Sequence, residues 1–181
     1  MQLETERLIL REFLEDDRQA MAEYWSDPRY QRYYAEVDDV EGTVWHLVAL
    51  FIAGQHEEPR RRWQLAVERK DDGRKIGNCG IRINAPVHRE ANIGYELNPD
   101  EWGQGFATEA ARAIVRFGFE ELGLHRIWAE CNAENAGSVR VLTNLGMQRE
   151  ARFREHQWFR GRWWDTEIYA LLEDQWREAG G

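Results

Sequence analysis

The chain has 181 residues, 43% of them hydrophobic, and a formal net charge of −9 from 24 basic and 33 acidic side chains. That length can bury one good core, so a single domain over residues 1–181 is expected. The acidic balance disfavours non-specific partnership with nucleic acid or an anionic membrane and makes a cationic substrate the easier match. No run of ~18 apolar residues occurs, and Met1 to Arg11 alternates charged with aliphatic residues, which predicts a cytoplasmic protein.

In chain order, Leu8 and Leu10 alternate with Arg7, Ile9 and Arg11 and predict a first strand. Glu15 to Trp25 carries Met21, Tyr24 and Trp25 at helical spacing, and Asp27-Pro28 stops that helix. A tyrosine-rich connection leads to a second helix, where Val44, Leu47, Val48, Phe51 and Ile52 form one apolar stripe. Trp63-Leu65-Val67 and Cys79-Ile81-Ile83 predict a hairpin turning at Asp71-Asp72-Gly73-Arg74. Asn92 to Asn98 adds a third antiparallel strand.

After a glycine turn, apolar residues or Gly at 107, 110, 111, 114, 115, 118, 119 and 122 mark the clearest helix of the chain. Arg126 to Cys131 then predicts a strand parallel to the one before that helix. Asn135 caps a short helix ended by Gly146, and two last strands flank Arg160-Gly161. Cys79 and Cys131 lie far apart in strand segments and are expected to be buried, inert thiols. His46, His56, His88, His125 and His156 show no ligand spacing, so no metal is expected.

The turn from Trp102 to Thr108 carries the chemistry. Gly105 lets backbone approach a ligand closely, and the following helix presents unpaired N–H groups and a positive dipole end, which suits a phosphate. A P-loop is excluded, because no Lys follows Gly105. A dinucleotide fingerprint fits Gly103-x-Gly105 and Glu130, but Thr108 replaces its third Gly and Pro99-Asp100-Glu101 separate strand from turn. The local residues leave these readings and a purely structural turn open.

Motifs spread along the chain narrow the choice. Thr5-Glu6-Arg7-Leu8-Ile9-Leu10-Arg11, Ile93-Gly94-Tyr95-Glu96-Leu97, Trp102 to Ala110, Asn135-Ala136-Gly137-Ser138, Asn144-Leu145-Gly146-Met147 and Gly161-Arg162-Trp163 with Asp165 together resemble the GNAT superfamily of N-acetyltransferases. Within it the chain is similar to the ribosomal-protein N-terminal acetyltransferase branch. The superfamily's Q/R-x-x-G-x-G/A loop maps onto Trp102 to Ala107 and departs only at Trp102.

The resemblance implies a mixed α+β fold: a mostly antiparallel, twisted sheet of about seven strands, splayed at its middle pair and flanked by about four helices. It implies acetyl-CoA as donor and a primary amine as acceptor, either a peptide N-terminus or a small amine such as a polyamine or aminoglycoside. A CoA-binding sensor that kept the fold without the chemistry is the alternative.

Gly103, Gln104, Gly105, Phe106, Ala107 and Thr108 are the implied pyrophosphate cradle, and Asn135 and Ser138 the implied contacts along the pantetheine arm. The Leu97 N–H is the implied oxyanion donor, Glu96 the implied base acting through water, and Ser138 the implied proton donor to the thiolate. Glu96 has a competing structural role, ordering the turn or pairing with Arg82. Some relatives carry a carboxylate on the strand after Met147; here Gln157 falls near that place, with Glu155 close by. Tyr30, Tyr33, Tyr34, Glu36, Asp38 and Asp39 on one side, and Trp158, Phe159, Trp163 and Trp164 on the other, are expected to border the acceptor pocket. The Trp-rich last hairpin equally suits a homodimer contact.

Overall fold

The computed structural model describes residues 1–180. Eight strands form one sheet in the order β1-β2-β3-β4-β5-β6-β8-β7. They are β1 (Gln2–Glu4), β2 (Leu8–Glu12), β3 (Arg62–Arg69), β4 (Lys75–Ala85), β5 (Glu90–Leu97), β6 (Arg126–Asn132), β7 (Gln148–Phe159) and β8 (Arg162–Leu172). All neighbours pair antiparallel except β5 and β6. The helices are α1 (Asp17–Trp25), α2 (Pro28–Gln31), α3 (Val40–Gly54), α4 (Phe106–Glu120), α5 (Ala136–Asn144) and α6 (Glu173–Glu178).

Among the described residues, these eight strands and six helices, four of the helices long, agree with the expected fold of about seven strands and about four helices and add three short elements. The additions are β1, α2 and α6, of three, four and six residues, too short to show a period. Asp27-Pro28 ends α1 as expected and also starts α2. The Asp27 carboxylate accepts the Arg29 N–H at 2.7 Å, and Pro28 sits where a helix needs no N–H.

Strand alternation sends side chains to two cores. Leu8, Leu10, Leu65, Val67, Cys79, Ile81, Ile93 and Leu97 face α4, α5 and α6. Phe13 and Ala66 face α1, α2 and α3 through Met21, Tyr24, Tyr30, Val44 and Val48. The α4 stripe packs closest at Gly118, where a Cβ would stand 2.7 Å from Ile127 Cδ1 and 2.8 Å from Ile81 Cδ1. Both cysteines are free and buried. Burial pushes the Cys79 thiol up to about 12 and the Cys131 thiol up to about 11, so neither is a nucleophile near neutrality.

Candidate active site

The parallel ladder between β5 and β6 is short: Glu90↔Arg126, Ala91↔Ile127 and Asn92↔Trp128. Beyond Asn92 the strands separate, and a cleft of about 350 Å³ opens between Ile93–Glu96 and Ala129–Asn132, with Asn135 and Ser138 on its rim. The Asn98 N–H donates to the Ile76 carbonyl on the β4 side at 2.8 Å. Alternation therefore turns the Leu97 N–H toward β6, where the ladder has ended. Trp102 Nε1 donates to the Leu97 carbonyl at 2.9 Å and holds the Leu97–Asn98 peptide, the one that follows the Leu97 N–H. The one residue departing from the loop consensus thus ties the end of β5 to the turn.

Glu96 lies on the α1 side of the sheet. Its carboxylate accepts Trp25 Nε1 at 3.1 Å and Asn78 Nδ2 at 3.0 Å. Asn78 also donates to the Tyr24 hydroxyl at 2.8 Å and accepts Gln64 Nε2 at 2.6 Å, while Arg82 Nη2 donates to Gln64 Oε1. A polar chain thus runs across β3, β4 and β5 from Arg82 to Glu96. Of the two structural roles open to Glu96, a direct pairing with Arg82 is not formed: among the described residues no carboxylate lies within 4.0 Å of that guanidinium. Burial, then the Glu96 charge, holds the Tyr24 and Tyr30 hydroxyls well above the usual phenol range, so both stay protonated around the carboxylate.

Ser138 lies on the opposite wall. Asn135 caps α5 by accepting the Ser138 N–H at 3.1 Å, which points the serine into the cleft. Ser138 Oγ is 2.8 Å from the Tyr95 hydroxyl, which also donates to the Ser138 carbonyl at 3.1 Å. Asn132 is a further cleft residue: its Oδ1 accepts the Glu134 N–H at 2.9 Å, and its buried Nδ2 has no acceptor. An orphaned amide donor suits the amide carbonyls of a pantetheine arm.

The glycine turn is built as an anion cradle. Gly103 and Gly105 have φ of 77° and 85°, and Gly105 starts α4 with no side-chain cap, leaving the first-turn N–H groups of Phe106, Ala107 and Thr108 outward. The N-terminal segment ties this turn down. Glu109 accepts Thr5 Oγ1 at 2.6 Å, Arg7 N at 2.8 Å and Arg7 Nε at 2.7 Å, and Arg7 Nη1 donates to the Gln104 carbonyl at 3.0 Å. A groove of about 920 Å³ continues from Gly105 and Thr108 past Arg112 to Asn144.

Glu96, Asn135 and Ser138 thus share one cleft, and Gly105 and Thr108 line the neighbouring groove. Tyr33, Tyr34 and Gln157 line the cleft, whereas Glu155 does not. The Arg160 side chain binds the Gln31 and Tyr34 carbonyls, closing the last hairpin over the tyrosine segment. Of the tryptophans expected there, Trp164 is buried against Phe159, while Trp158 and Trp163 are exposed and pack on each other away from the cleft. Tyr95, Asn132, Arg7 and the role of Trp102 escaped the sequence reading. Tyr95 and Arg7 stood inside the quoted motifs, but their partners lie 43 and 102 residues away.

Residues 7–148 match the acetyltransferase (GNAT) domain family, and the chain belongs to that family of acetyl-CoA-dependent N-acetyltransferases. It is 35% identical to the uncharacterized N-acetyltransferase YoaA of Bacillus subtilis, covering 94% of this chain and 96% of that protein. A solved GNAT-family acetyltransferase from Bacillus anthracis has 32% identity and a TM-score of 0.83, covering 96% of this chain and 99% of the other. More distantly, the chain is 25% identical to spermidine N(1)-acetyltransferase of Escherichia coli, over 80% of this chain and 69% of that protein.

Proposed function

We propose that the protein transfers the acetyl group of acetyl-CoA directly to a primary amine within a ternary complex, a protein N-terminal amine being one such acceptor. The observation that carries this reading is the splay after Asn92, with a carboxylate on one wall and a hydroxyl pair on the other. Gly103 to Thr108 hold the donor's pyrophosphate through backbone N–H groups, and Asn132 and Asn135 receive its pantetheine arm. The donor supplies a thioester; the residues of this chain supply position, charge and protons.

Glu96 accepts a proton from the acceptor ammonium through water, freeing the nitrogen lone pair to attack the thioester carbonyl. The Leu97 N–H donates to the oxygen as it gains charge. When the carbon–sulfur bond breaks, Ser138, backed by Tyr95, delivers a proton to the departing thiolate, and the second proton that the nitrogen sheds as the amide forms returns to Ser138 through water. Tyr24, Tyr30 and Trp25 keep the carboxylate oriented and shielded from bulk water.

The test is thiol release from acetyl-CoA across N-terminal peptides, polyamines and aminoglycosides, with the acetylated amine identified by mass. Release matched by an N-acetyl product supports the reading. CoA binding with no release on any amine would point instead to a sensor.

A further inference from the structure

The cleft holds a charge that acetyl transfer leaves unused. Arg82 lines it beside Glu96, donates to Gln64 Oε1, and has no carboxylate within 4.0 Å among the described residues. Other partly buried arginines are paired: Arg11 with Asp17, Arg60 with Glu12, Arg126 with Glu90. Burial pulls the Arg82 guanidinium below its ordinary value despite the Glu96 charge nearby. A desolvated cation without an acid is costly unless a ligand completes it.

The backbone makes room for that guanidinium at the cleft wall. Gly80 and Gly94 are register partners on β4 and β5, and Arg82 Nη1 stands 3.3 Å from where a Cβ on Gly94 would be. The missing side chain of Gly94 thus lets the guanidinium lie across β5 on the cleft wall, while the space over Gly80 is taken by Gln64. Glu96 is two residues beyond Gly94 on the same face of β5, roughly 7 Å along the strand. An anion site and an amine site therefore stand side by side in one cleft.

We propose that Arg82 binds a carboxylate of the acceptor, so that the amine presented to Glu96 belongs to a molecule that also carries an acid group. This rests on the acetyltransferase reading above. A guanidinium fork matches a carboxylate in two parallel hydrogen bonds. Charge favours a carboxylate over a phosphate dianion, because Glu96 and Glu130 already line the cleft against this one arginine's charge. A polyamine would leave Arg82 facing another cation. The acidic chain as a whole suggests cationic substrates, but this cleft is balanced for an ammonium and a carboxylate together.

The test uses matched acid and amide acceptors from two sources: Ala-Asp-Ala-amide with Ala-Asn-Ala-amide, and free alanine with alaninamide. Binding to the CoA-loaded protein is measured by calorimetry, and kcat/KM by thiol release. In at least one pair the acid is expected to bind and react at least ~10-fold better than its amide. Preference in the peptide pair marks a protein N-terminus as acceptor, and preference in the free pair a small amino acid. Arg82→Gln, which keeps a donor for Gln64, brings the acid down to its amide, and Arg82→Lys restores part of the difference. Equal binding of acid and amide, no binding of either, or equal losses for both in Arg82→Gln would overturn the proposal. Absence of thiol release with every amine, spermidine included, sinks the acetyltransferase reading instead, while the Arg82-dependent binding is still read by calorimetry.

Discussion

Ser138 has two duties that mutation can separate. Its N–H completes the Asn135 cap, whereas its hydroxyl meets only Tyr95 and the cleft wall. Ser138→Ala keeps the cap and is expected to lower kcat ~100-fold while the Kd for CoA, by calorimetry, stays nearly unchanged. Equal losses in kcat and affinity would mean that the serine only positions the donor.

Asp17 shows the same scale at work in stability. It is 3% exposed, accepts both Arg11 Nη atoms at 2.8 and 2.9 Å and the Leu14 N–H at 2.8 Å, and lies 3.1 Å from Lys75 Nζ. Burial alone would raise its carboxyl, but these partners outweigh it and hold it below the ordinary value. A carboxyl depressed on folding gives stability that is complete above its unfolded pKa, near ~3.9, and is lost as pH falls through its folded value. Asp17→Ala should cost about 3 kcal/mol in urea unfolding at neutral pH, and less as the medium is acidified below about pH 4. A loss that does not shrink in acid would contradict this assignment.

Among the elements, the turn before α4 depends on the connection between β1 and β2 for its shape. Glu109→Ala releases Thr5 and Arg7 together and is expected to raise the KM for acetyl-CoA ~10-fold while kcat at saturation holds. A fall in kcat with KM intact would place the network elsewhere in the mechanism. Where α4 meets the sheet, Gly118→Ala drives a methyl into Ile127 and Ile81 and should cost ~1–3 kcal/mol in the same unfolding assay. Wild-type stability there would mean that the helix can lift away from the sheet freely.

Legibility followed element length and locality. The α4 stripe, the meander of β3 to β5 and the Arg160-Gly161 turn announce themselves through period and turn chemistry, and all three stand in the structure. β1 has only three residues and borrows its strand character from pairing with β2, a tertiary fact. In the site, Glu96, Ser138 and the glycine turn were visible because each sits in a local motif. Asn132, Tyr95 and Arg82 matter only for what folding puts beside them: an open splay, a serine on another helix, and a glycine on the facing strand. No spacing in the chain encodes those neighbours.

For the whole molecule, the parallel step at β5 and β6 divides the labour. In the proposed transfer, the residues assigned to the donor gather toward α4 and α5, those assigned to the acceptor toward α1 and α2, and the two sets meet at the splay. Donor binding can therefore be read without an acceptor: CoA at 100 times its Kd should stabilise the fold by ~2.7 kcal/mol, seen as a rise in Tm, and NAD should give none. A shift with NAD and none with CoA would reverse the reading of the cradle.

The most direct measurement is thiol release from acetyl-CoA with an amine acceptor, comparing the wild-type protein with Glu96→Gln at equal occupancy by CoA. Acetyl transfer across this cleft predicts wild-type release matched one-to-one by N-acetyl product, with kcat falling ~100-fold or more in Glu96→Gln and CoA affinity held. Full turnover in Glu96→Gln would contradict the assignment of the proton to this carboxylate, and CoA binding without any wild-type release would contradict acetyl transfer itself.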